Sequence, residues 1–341
     1  MQTIVSNADE DNSESVLLKR QLALSEEILA HFNSYSQSDS NAQCIVVLDP
    51  ALRDATTYAE FAACLSALKA PLNKKDLPRV LWSHKNLKPE HRPYLVPLDL
   101  TDPAGQRLLD FSMRMAIEDQ DIASLAHGSG QRVCGWIFTH ENIKTLATHL
   151  GQIAIQRLPA GLARKSGKSM LLRYYDPNVM PLLWALSDTA QREALLGPIT
   201  QWSLLDRVAK LRVYKSEQNE NTQRVPLSFS AQQWMALQSI GGLNQACFQW
   251  QEKNADGLPP PNQKIQDGLH ALVRAQSYGI DDDKDLKAFA WHSLTVHPRF
   301  YEHPIVKRAL TRLPEEKYYT ATVADISEQS WQQIQRESSN R

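Results

Sequence analysis

Strand-like segments stop at residue 214 of this 341-residue chain, and that division constrains the fold more than any other feature. Short apolar runs bounded by turn-forming residues are typical of buried β-strands. They occur at residues 44–48, 80–82, 94–96, 133–138, 153–158, 170–175, 199–205 and 211–214. Helical periodicity lies between them at 58–68, 106–122 and 143–150, and from residue 230 onward every apolar pattern is helical. The sequence predicts an α/β (α+β) N-terminal lobe with a mixed β-sheet, followed by an all-α C-terminal lobe.

Polar stretches set the predicted domain limits. Residues 1–16 are polar and acidic and predict a disordered tail. The run "KSEQNENTQR", which begins at residue 215, is the most polar stretch after the N-terminus, so residues 216–229 are predicted to be a linker. The α/β domain then spans 17–215, and the helical lobe spans 230–341.

Charge and composition argue against several classes of protein. The net charge of −1 provides no field that would attract nucleic acid. No apolar run approaches the roughly 18 residues of a membrane span, and the N-terminus lacks the pattern of a signal peptide. Four separated cysteines (Cys44, Cys64, Cys134 and Cys247) indicate buried thiols of a reducing compartment rather than disulfides. We therefore expect a cytoplasmic protein that binds no nucleic acid and has no membrane span.

One stretch raises the question of a nucleotide site. The sequence "PAGLARKSGKSM" at 159–170 contains Gly167-Lys168-Ser169. Phosphate-binding loops end in the same three residue types. Such a loop needs four residues between its first glycine and the Gly-Lys-Ser, and a helix that begins at the lysine. Here five residues separate Gly161 from Gly167, and strand-like runs lie on both sides of the segment. The segment therefore predicts a hairpin loop with a solvated basic tip.

Two polar groupings are candidates for catalytic or metal sites. Arg173, Tyr175 and Asp176 lie at a predicted strand end, where open α/β sheets often bind ligands. Asp176 followed by Pro177 is also the pattern of a helix N-cap, and no nearby serine or histidine supplies a nucleophile and base. The histidines His292, His297 and His303 lack the spacing of helical metal ligands and favour turn or partly buried positions. We predict no catalytic, cofactor or metal residues.

The tryptophans are numerous for a chain of this length. The chain contains eight, most of which should lie in the core, although tryptophan also anchors protein interfaces. Candidate partner-binding residues are Trp202, Trp234 and Trp250.

The order of four short motifs resembles a bacterial family. They are the strand that ends at Asp49, "CGWIFTHENIKTLATHL" at 134–150, "LLRYYDPNVMPLLWAL" at 171–186 and "LLGPITQW" at 195–202. The chain resembles a domain-of-unknown-function family whose members serve type VI secretion as effector adaptors or chaperones. The family signature corresponds to Asp49, Gly135, Trp136, Arg173, Tyr175, Asp176, Pro177, Gly197 and Pro198. Tyr174 stands where the family more often has phenylalanine.

The resemblance implies a carrier without enzymatic activity or cofactor. Such a protein holds a secreted effector, often by its N-terminal segment, and delivers it to the valine-glycine-repeat (VgrG) spike protein. A groove between the two predicted lobes is where we expect the effector segment. Two alternatives stay open: a nucleotide- or phosphate-using α/β enzyme built around Gly167-Lys168-Ser169 and Asp176, and a structural scaffold of the secretion baseplate.

Overall fold

A computed structural model describes residues 7–36, 43–49, 78–82, 88, 91–120, 130–159, 169–207, 210–217, 226–254 and 257–339. The N-terminal part is an α+β lobe, and the residues described after 226 form helices and their connections. The predicted fold class is confirmed.

A central sheet of five strands has the order β2-β1-β3-β6-β7. The strands are β1 Gln43–Leu48, β2 Tyr94–Leu98, β3 Val133–Thr139, β6 Ile199–Leu205 and β7 Leu211–Lys215. All four neighbouring pairs are antiparallel, where the sequence predicted a mixed sheet. An apolar run does not encode the direction of its neighbours, so only the existence of the strands could be predicted.

Helices cover both faces of this sheet. On one face lie α1 Asn7–Ser36 and α2 Pro103–Glu118, and α3 Ile143–Ala154 lies on the other. Strand β1 shows why both faces are apolar: Cys44 and Val46 belong to the core under α1 and α2, and Ile45 and Val47 belong to the core under α3.

A small ribbon and two short helices follow α3. The ribbon consists of β4 Ile155–Arg157 and β5 Ser169–Leu171, which pair antiparallel. The helices are α4 Met180–Leu186 and α5 Thr189–Leu196. Asp188 caps α5 with a reciprocal bond to Gln191, and the helix ends at Gly197 as its sequence predicts.

Seven helices and one 3₁₀ turn are described in the C-terminal part of the chain. Ser230 caps the first helix, which continues through Gly241 and Gly242 without a break. The helices are α6 Ala231–Lys253, α7 Asn262–Ser277, α8 Asp283–Thr295, α9 Pro304–Leu310, α10 Leu313–Glu316, α11 Tyr319–Thr322 and α12 Glu328–Ser339, with a 3₁₀ turn at Phe300–Glu302.

One hydrophobic core joins the two lobes. Ile45 and Tyr174 of the sheet lobe belong to the same cluster of buried side chains as Trp234, Phe289 and Ile334 of the helical lobe. The polar run at 215–224 separates the lobes in sequence, yet the lobes share their interior.

Three local predictions are corrected. Helix α1 begins at Asn7, so residues 7–16 of the predicted disordered tail are helical, because an established helix extends at little cost per residue. Asn142, not Thr139, caps α3. Gly151 lies inside α3, where a Cβ would meet the Leu81 carbonyl oxygen at 1.9 Å, so it permits a close backbone approach rather than ending the helix. The predicted helix at 58–68 lies outside the described residues.

Candidate partner-binding cleft

Three of the family-signature residues form a partly buried ionic network. The guanidinium of Arg173 donates from Nη2 to Asp49 Oδ2 at 3.0 Å and lies 3.4 Å from Asp176 Oδ2. The carboxylate of Asp49 is fully buried at the end of β1. Burial alone would lower the pKa of Arg173, but Asp176 and Asp49 together raise it above its usual value, so the cation persists. The network fastens the chain after β5 to the end of β1.

Asp176 stabilises a turn rather than capping a helix directly. Its Oδ1 accepts a bond from the Asn178 N–H at 2.9 Å, and α4 starts one turn later, at Met180. The proline at position 181 accounts for this delay, because it lacks an N–H and fits only the first turn. Pro177, the next signature residue, is buried in the same turn.

The aromatic and sulfur groups beside this network are held neutral. Burial raises the pKa of Tyr174 well above its usual value, and its hydroxyl donates to the Leu150 carbonyl. Burial, with the nearby Asp49, raises the pKa values of Tyr175 and Cys134 also. A thiol that stays protonated is a poor nucleophile. The cluster at the strand end therefore has the chemistry of a structural anchor.

Gly135 and Trp136 explain the Gly-Trp motif. Gly135 has φ +126°, and a Cβ there would lie 2.3 Å from the Ser203 carbonyl oxygen and 2.6 Å from Trp202 Nε1. The indole of Trp202 occupies this space and donates to the Cys134 carbonyl at 3.2 Å. Trp136 is also fully buried, and its Nε1 donates to Ser112 Oγ of α2. Both residues of the motif pack the sheet.

The Gly-Pro step lies at the surface of a cleft. Gly197 has φ +55°, and a Cβ on it would meet the His149 ring at 2.2 Å. His149 Nε2 also makes a hydrogen bond with the Leu195 carbonyl at 3.0 Å. The Pro198 carbonyl accepts from Thr139 Oγ1, which ties the step to the end of β3. The step therefore lets α3 approach the end of α5.

The cleft itself has a volume of about 1070 Å³ and opens where the two lobes meet. One wall is the exposed face of α3, with Lys144, Thr148 and Gln152, and it continues into β4. Across from it lies the extended segment 226–229 that leads into α6. This volume suits a polypeptide segment or a large ligand better than a small metabolite.

The floor and ends of the cleft are apolar. Phe229 and Trp234 pack edge to face, with ring centroids 5.6 Å apart, and both line it. Ile153, Pro198 and Leu227 add further apolar surface. Polar groups surround this surface, which is the usual arrangement of protein-binding sites.

A second, smaller cleft lies at another part of the lobe junction. Its volume is about 490 Å³, and prolines supply much of its wall, at 177, 181 and 259–261. Arg212 on its edge is paired with Asp206 at 2.7 Å, and Arg207 donates to Asn244. The charged groups of this cleft are therefore engaged within the protein.

The three candidate tryptophans have different environments. Trp202 is fully buried against Tyr174, so the structure assigns it to the core instead of to a partner-binding surface. Trp234 is nearly buried but lines the large cleft. Trp250 is half-buried, with the ammonium of Lys264 4.7 Å from its ring centroid. Partner binding by Trp234 and Trp250 stays a prediction.

The structure around the Gly-Lys-Ser segment favours a hairpin. Gly167 and Lys168 lie outside the described residues, but Ser169 is the first residue of β5. The register pairs Arg157 with Ser169 in an antiparallel ribbon. A phosphate-binding loop would place the serine in the first turn of a helix. The predicted pairing of two strands is confirmed, although the strands are shorter than the sequence suggested.

The histidines at the C-terminal end have structural partners. The ring of His292 stacks on Trp331 with centroids 4.3 Å apart, and its Nδ1 makes a hydrogen bond with the Tyr319 hydroxyl at 2.6 Å. His303 Nε2 lies 3.0 Å from Glu337 Oε2, and His297 Nδ1 accepts from the Arg299 N–H. In the part of the chain that the structure describes, no three His, Cys, Asp or Glu side chains are grouped as metal ligands would be.

Cys44, Cys134 and Cys247 are buried free thiols, as predicted, and Cys64 lies outside the described residues. Among the described helices, none combines the length and apolar character that crossing a bilayer requires.

Sequence reasoning missed most residues of the cleft. The exposed face of α3, opposite its buried stripe, carries Lys144, Thr148 and Gln152 at intervals of four. The segment 226–229 falls in the predicted linker, although Leu227 and Phe229 alternate with polar residues there. That alternation was a usable signal, but its partner on α3 could be identified only from the fold.

Comparison with known proteins gives one family match. A family model described as a domain of unknown function (DUF4123) matches residues 51–194, which is less than half of the chain. No curated protein and no solved structure matched the chain. The matched region contains Gly135, Trp136 and the Arg173–Pro177 signature, whereas Asp49 and the Gly197–Pro198 step lie just outside it. In sequence, residues 51–194 are therefore similar to DUF4123 domains.

Proposed function

We propose that the protein is a non-enzymatic adaptor or chaperone that binds a type VI secretion effector and loads it onto the VgrG spike protein. The DUF4123 match carries this proposal, because that family is associated in general with effector adaptors of type VI secretion. The four ordered motifs of the sequence point the same way.

The geometry supports binding better than catalysis. The larger of the two clefts described above has an apolar floor and a polar rim. Near the signature motif, Arg173 is neutralised by Asp49 and Asp176, and the tyrosines beside it are held in their neutral form. These groups have structural partners and do not form a set of nucleophile, base and oxyanion donor.

The signature residues help to form the cleft without being its binding groups. Gly197 and Pro198 line it directly. Gly135 and Trp136 stabilise the sheet, and the Arg173 network positions the chain that follows β5. A family that conveys different effectors would keep such a framework and vary the surface, which is consistent with signature residues that are mainly buried.

Loading requires the adaptor to bind two proteins in sequence and to release one of them. Interfaces of moderate size suit such a transfer, because very large apolar interfaces dissociate slowly. We place the effector, by its N-terminal segment, in the large cleft, with Trp234 as an anchor, and we place the transfer in the cytoplasm. The half-buried Trp250 lies outside the residues that line this cleft and is proposed as part of the second contact.

Deletion of the gene in its bacterial host, with complementation by the intact gene, tests the function. We expect the effector to remain in the cell while the VgrG spike is still exported. We also expect purified adaptor to capture the effector, and the complex to bind VgrG. Unchanged export of every effector in the deletion strain would contradict the proposal.

The same strain distinguishes an adaptor from a baseplate scaffold. A scaffold would stay in the assembled baseplate at fixed stoichiometry, and its loss would stop spike export altogether. An adaptor should be absent from the fired spike, and its loss should affect only the effector that it carries.

A further inference from the structure

Among the residues that the structure describes, no strand pairs with the second edge of β4, called here its free edge, and the hydrogen-bond register identifies the groups on it. The two-stranded sheet contains only β4 and β5 among the described residues. Leu172 N–H donates to the Ala154 carbonyl at 2.8 Å, and the register pairs Gln156 with Met170. Because bonded and non-bonded pairs alternate in an antiparallel ladder, Gln156 directs its backbone groups toward β5. The backbone N–H and C=O of Arg157, and the C=O of Ile155, therefore point away from β5.

The large cleft lies along this free edge. Ile155, Gln156 and Arg157 all line it, whereas no residue of β5 does. Successive side chains of a strand point to opposite faces, so a cleft that touched one face of β4 would meet only alternate residues. Because three consecutive residues of β4 line the cleft, the cleft lies along the edge of the strand and not over one of its faces.

The charge of the cleft is of one sign. Lys144 and Arg157 are exposed on its rim, and neither forms an ion pair with another described residue. No aspartate or glutamate is among the lining residues that the structure describes. A chain whose net charge is only −1 thus presents a locally basic cleft. Carboxylates are the groups that complement it.

We propose that the cleft binds an extended, acidic segment of the partner polypeptide, which adds to the free edge of β4 as a third strand. Main-chain bonds to Arg157 hold the segment beside β4, and side chains on one of its faces fill the apolar floor at Phe229 and Trp234. Acidic residues of the segment pair with Lys144 and Arg157. This inference rests on the proposed function only for the origin of the segment, a secreted effector.

A helical ligand fits these observations less well. A helix satisfies its own backbone groups and offers none to the edge of β4. It would also present carboxylates at intervals of three and four, while an extended segment presents every second side chain to the same face. The backbone of β4 therefore favours the extended form.

Selection of random ten-residue peptides displayed on phage, against the full-length protein, tests the chemistry. We expect enrichment of sequences in which aspartate or glutamate alternates with β-branched or aromatic residues. Fluorescence anisotropy should show that Lys144→Glu and Arg157→Glu each weaken binding by about tenfold or more, and that added salt weakens it further. Arg107→Glu, an exposed charge reversal on α2, should leave binding unchanged. Peptides without acidic residues, or binding that ignores both cleft substitutions, would overturn the proposal.

N-methylation of the selected peptide tests the geometry. Methyl groups on the backbone nitrogens that face β4 should abolish binding, and methyl groups on the alternate nitrogens should be tolerated. Hydrogen exchange of the Arg157 amide should slow in the complex. Equal loss at every position, as expected for a helical ligand, would overturn strand addition.

Two further results separate this proposal from the function. Peptide binding in the cleft, combined with normal effector export in the deletion strain, would support the site and remove the secretion role. Effector capture that Arg157→Glu leaves unchanged would support the secretion role and remove the proposed site. Sedimentation of the chain alone must show a monomer; self-association that is lost in Arg157→Glu would make a second copy the occupant and overturn the proposal.

Discussion

At the scale of single residues, Gly135 shows that the packing of the central sheet leaves no room for a side chain at that position. Gly135 has its left-handed conformation where the Trp202 indole crosses the backbone of β3, and any side chain at 135 would displace that ring. The pair is one packing unit contributed by two neighbouring strands. The Gly-Trp motif therefore records a packing requirement.

Gly135→Ala should destabilise the protein by about 2–4 kcal/mol, because the new methyl group meets the Ser203 carbonyl at 2.3 Å and the backbone is strained. Urea unfolding followed by circular dichroism measures the change. Gly241→Ala is the matched control: it lies in α6 with nothing within 4 Å of its Cβ, and should stabilise by about 0.5–1 kcal/mol. Equal effects of the two substitutions would refute the packing role of Gly135.

Asp49→Asn should lower the free energy of unfolding by about 2–3 kcal/mol. The substitution removes the buried carboxylate that pairs with Arg173 and leaves Asp176 as the remaining ionic partner in the network. The same unfolding measurement applies. Asp325→Asn removes the partner of Arg312 in a pair whose aspartate is 78% exposed, and should change stability by less than about 0.5 kcal/mol. If Asp49→Asn were as mild as this control, the network would not anchor the end of β1.

His292 should make the protein less stable in weak acid. Burial lowers its pKa from 6.5 to about 4 in the folded state. The unfolded chain therefore takes up the proton first as the pH falls through 6.5, and stability declines until the pH reaches the folded pKa. The loss between pH 7 and pH 5 should be about 2 kcal/mol. Unfolding curves across this range should show the decline, and His292→Phe should remove this part of it; an identical pH dependence in that variant would contradict the assignment.

At the scale of elements, the ribbon of β4 and β5 favours an adaptor over a nucleotide-using enzyme. Ser169 begins strand β5, whereas a phosphate-binding loop would place this serine in the first turn of a helix, whose dipole favours the anion. ATP or GTP should therefore leave the melting temperature unchanged at millimolar concentration. A genuine site at a ligand concentration 100 times its Kd would add about 2.7 kcal/mol, which a thermal-shift assay detects easily. A shift that Lys168→Ala abolished would restore the enzyme hypothesis.

The elements also show what a single sequence can predict. Strands β1 and β3 and helices α5 and α6 carry local signals, namely apolar runs, the Asp188 and Ser230 caps and the Gly197 stop, and their predictions are confirmed. Residues 80–82 were predicted as a strand but form only a bridge from Arg79 to Tyr94 and a bond from Leu81 to α3. Their conformation depends on neighbours that are distant in sequence. The free edge of β4 is likewise a property of pairing and could not be predicted.

At the scale of the whole molecule, the two lobes share one hydrophobic core. Tyr174, Trp234 and Ile334 belong to one cluster of buried side chains, so the residues before and after the polar run share a hydrophobic core. The expected groove between lobes corresponds to a cleft on this continuous core. A binding test on isolated halves would therefore expose core surface, and full-length variants are the appropriate reagents.

Site-specific photo-crosslinking in the bacterial host tests the central claim, that a partner polypeptide occupies the cleft at the lobe junction. A photoreactive amino acid at Thr148, which is exposed and lines the cleft, should crosslink to the effector before secretion. The same amino acid at Arg114, exposed on α2 against the opposite face of the sheet, should not. Crosslinks to the effector from position 114 and none from 148 would contradict the account.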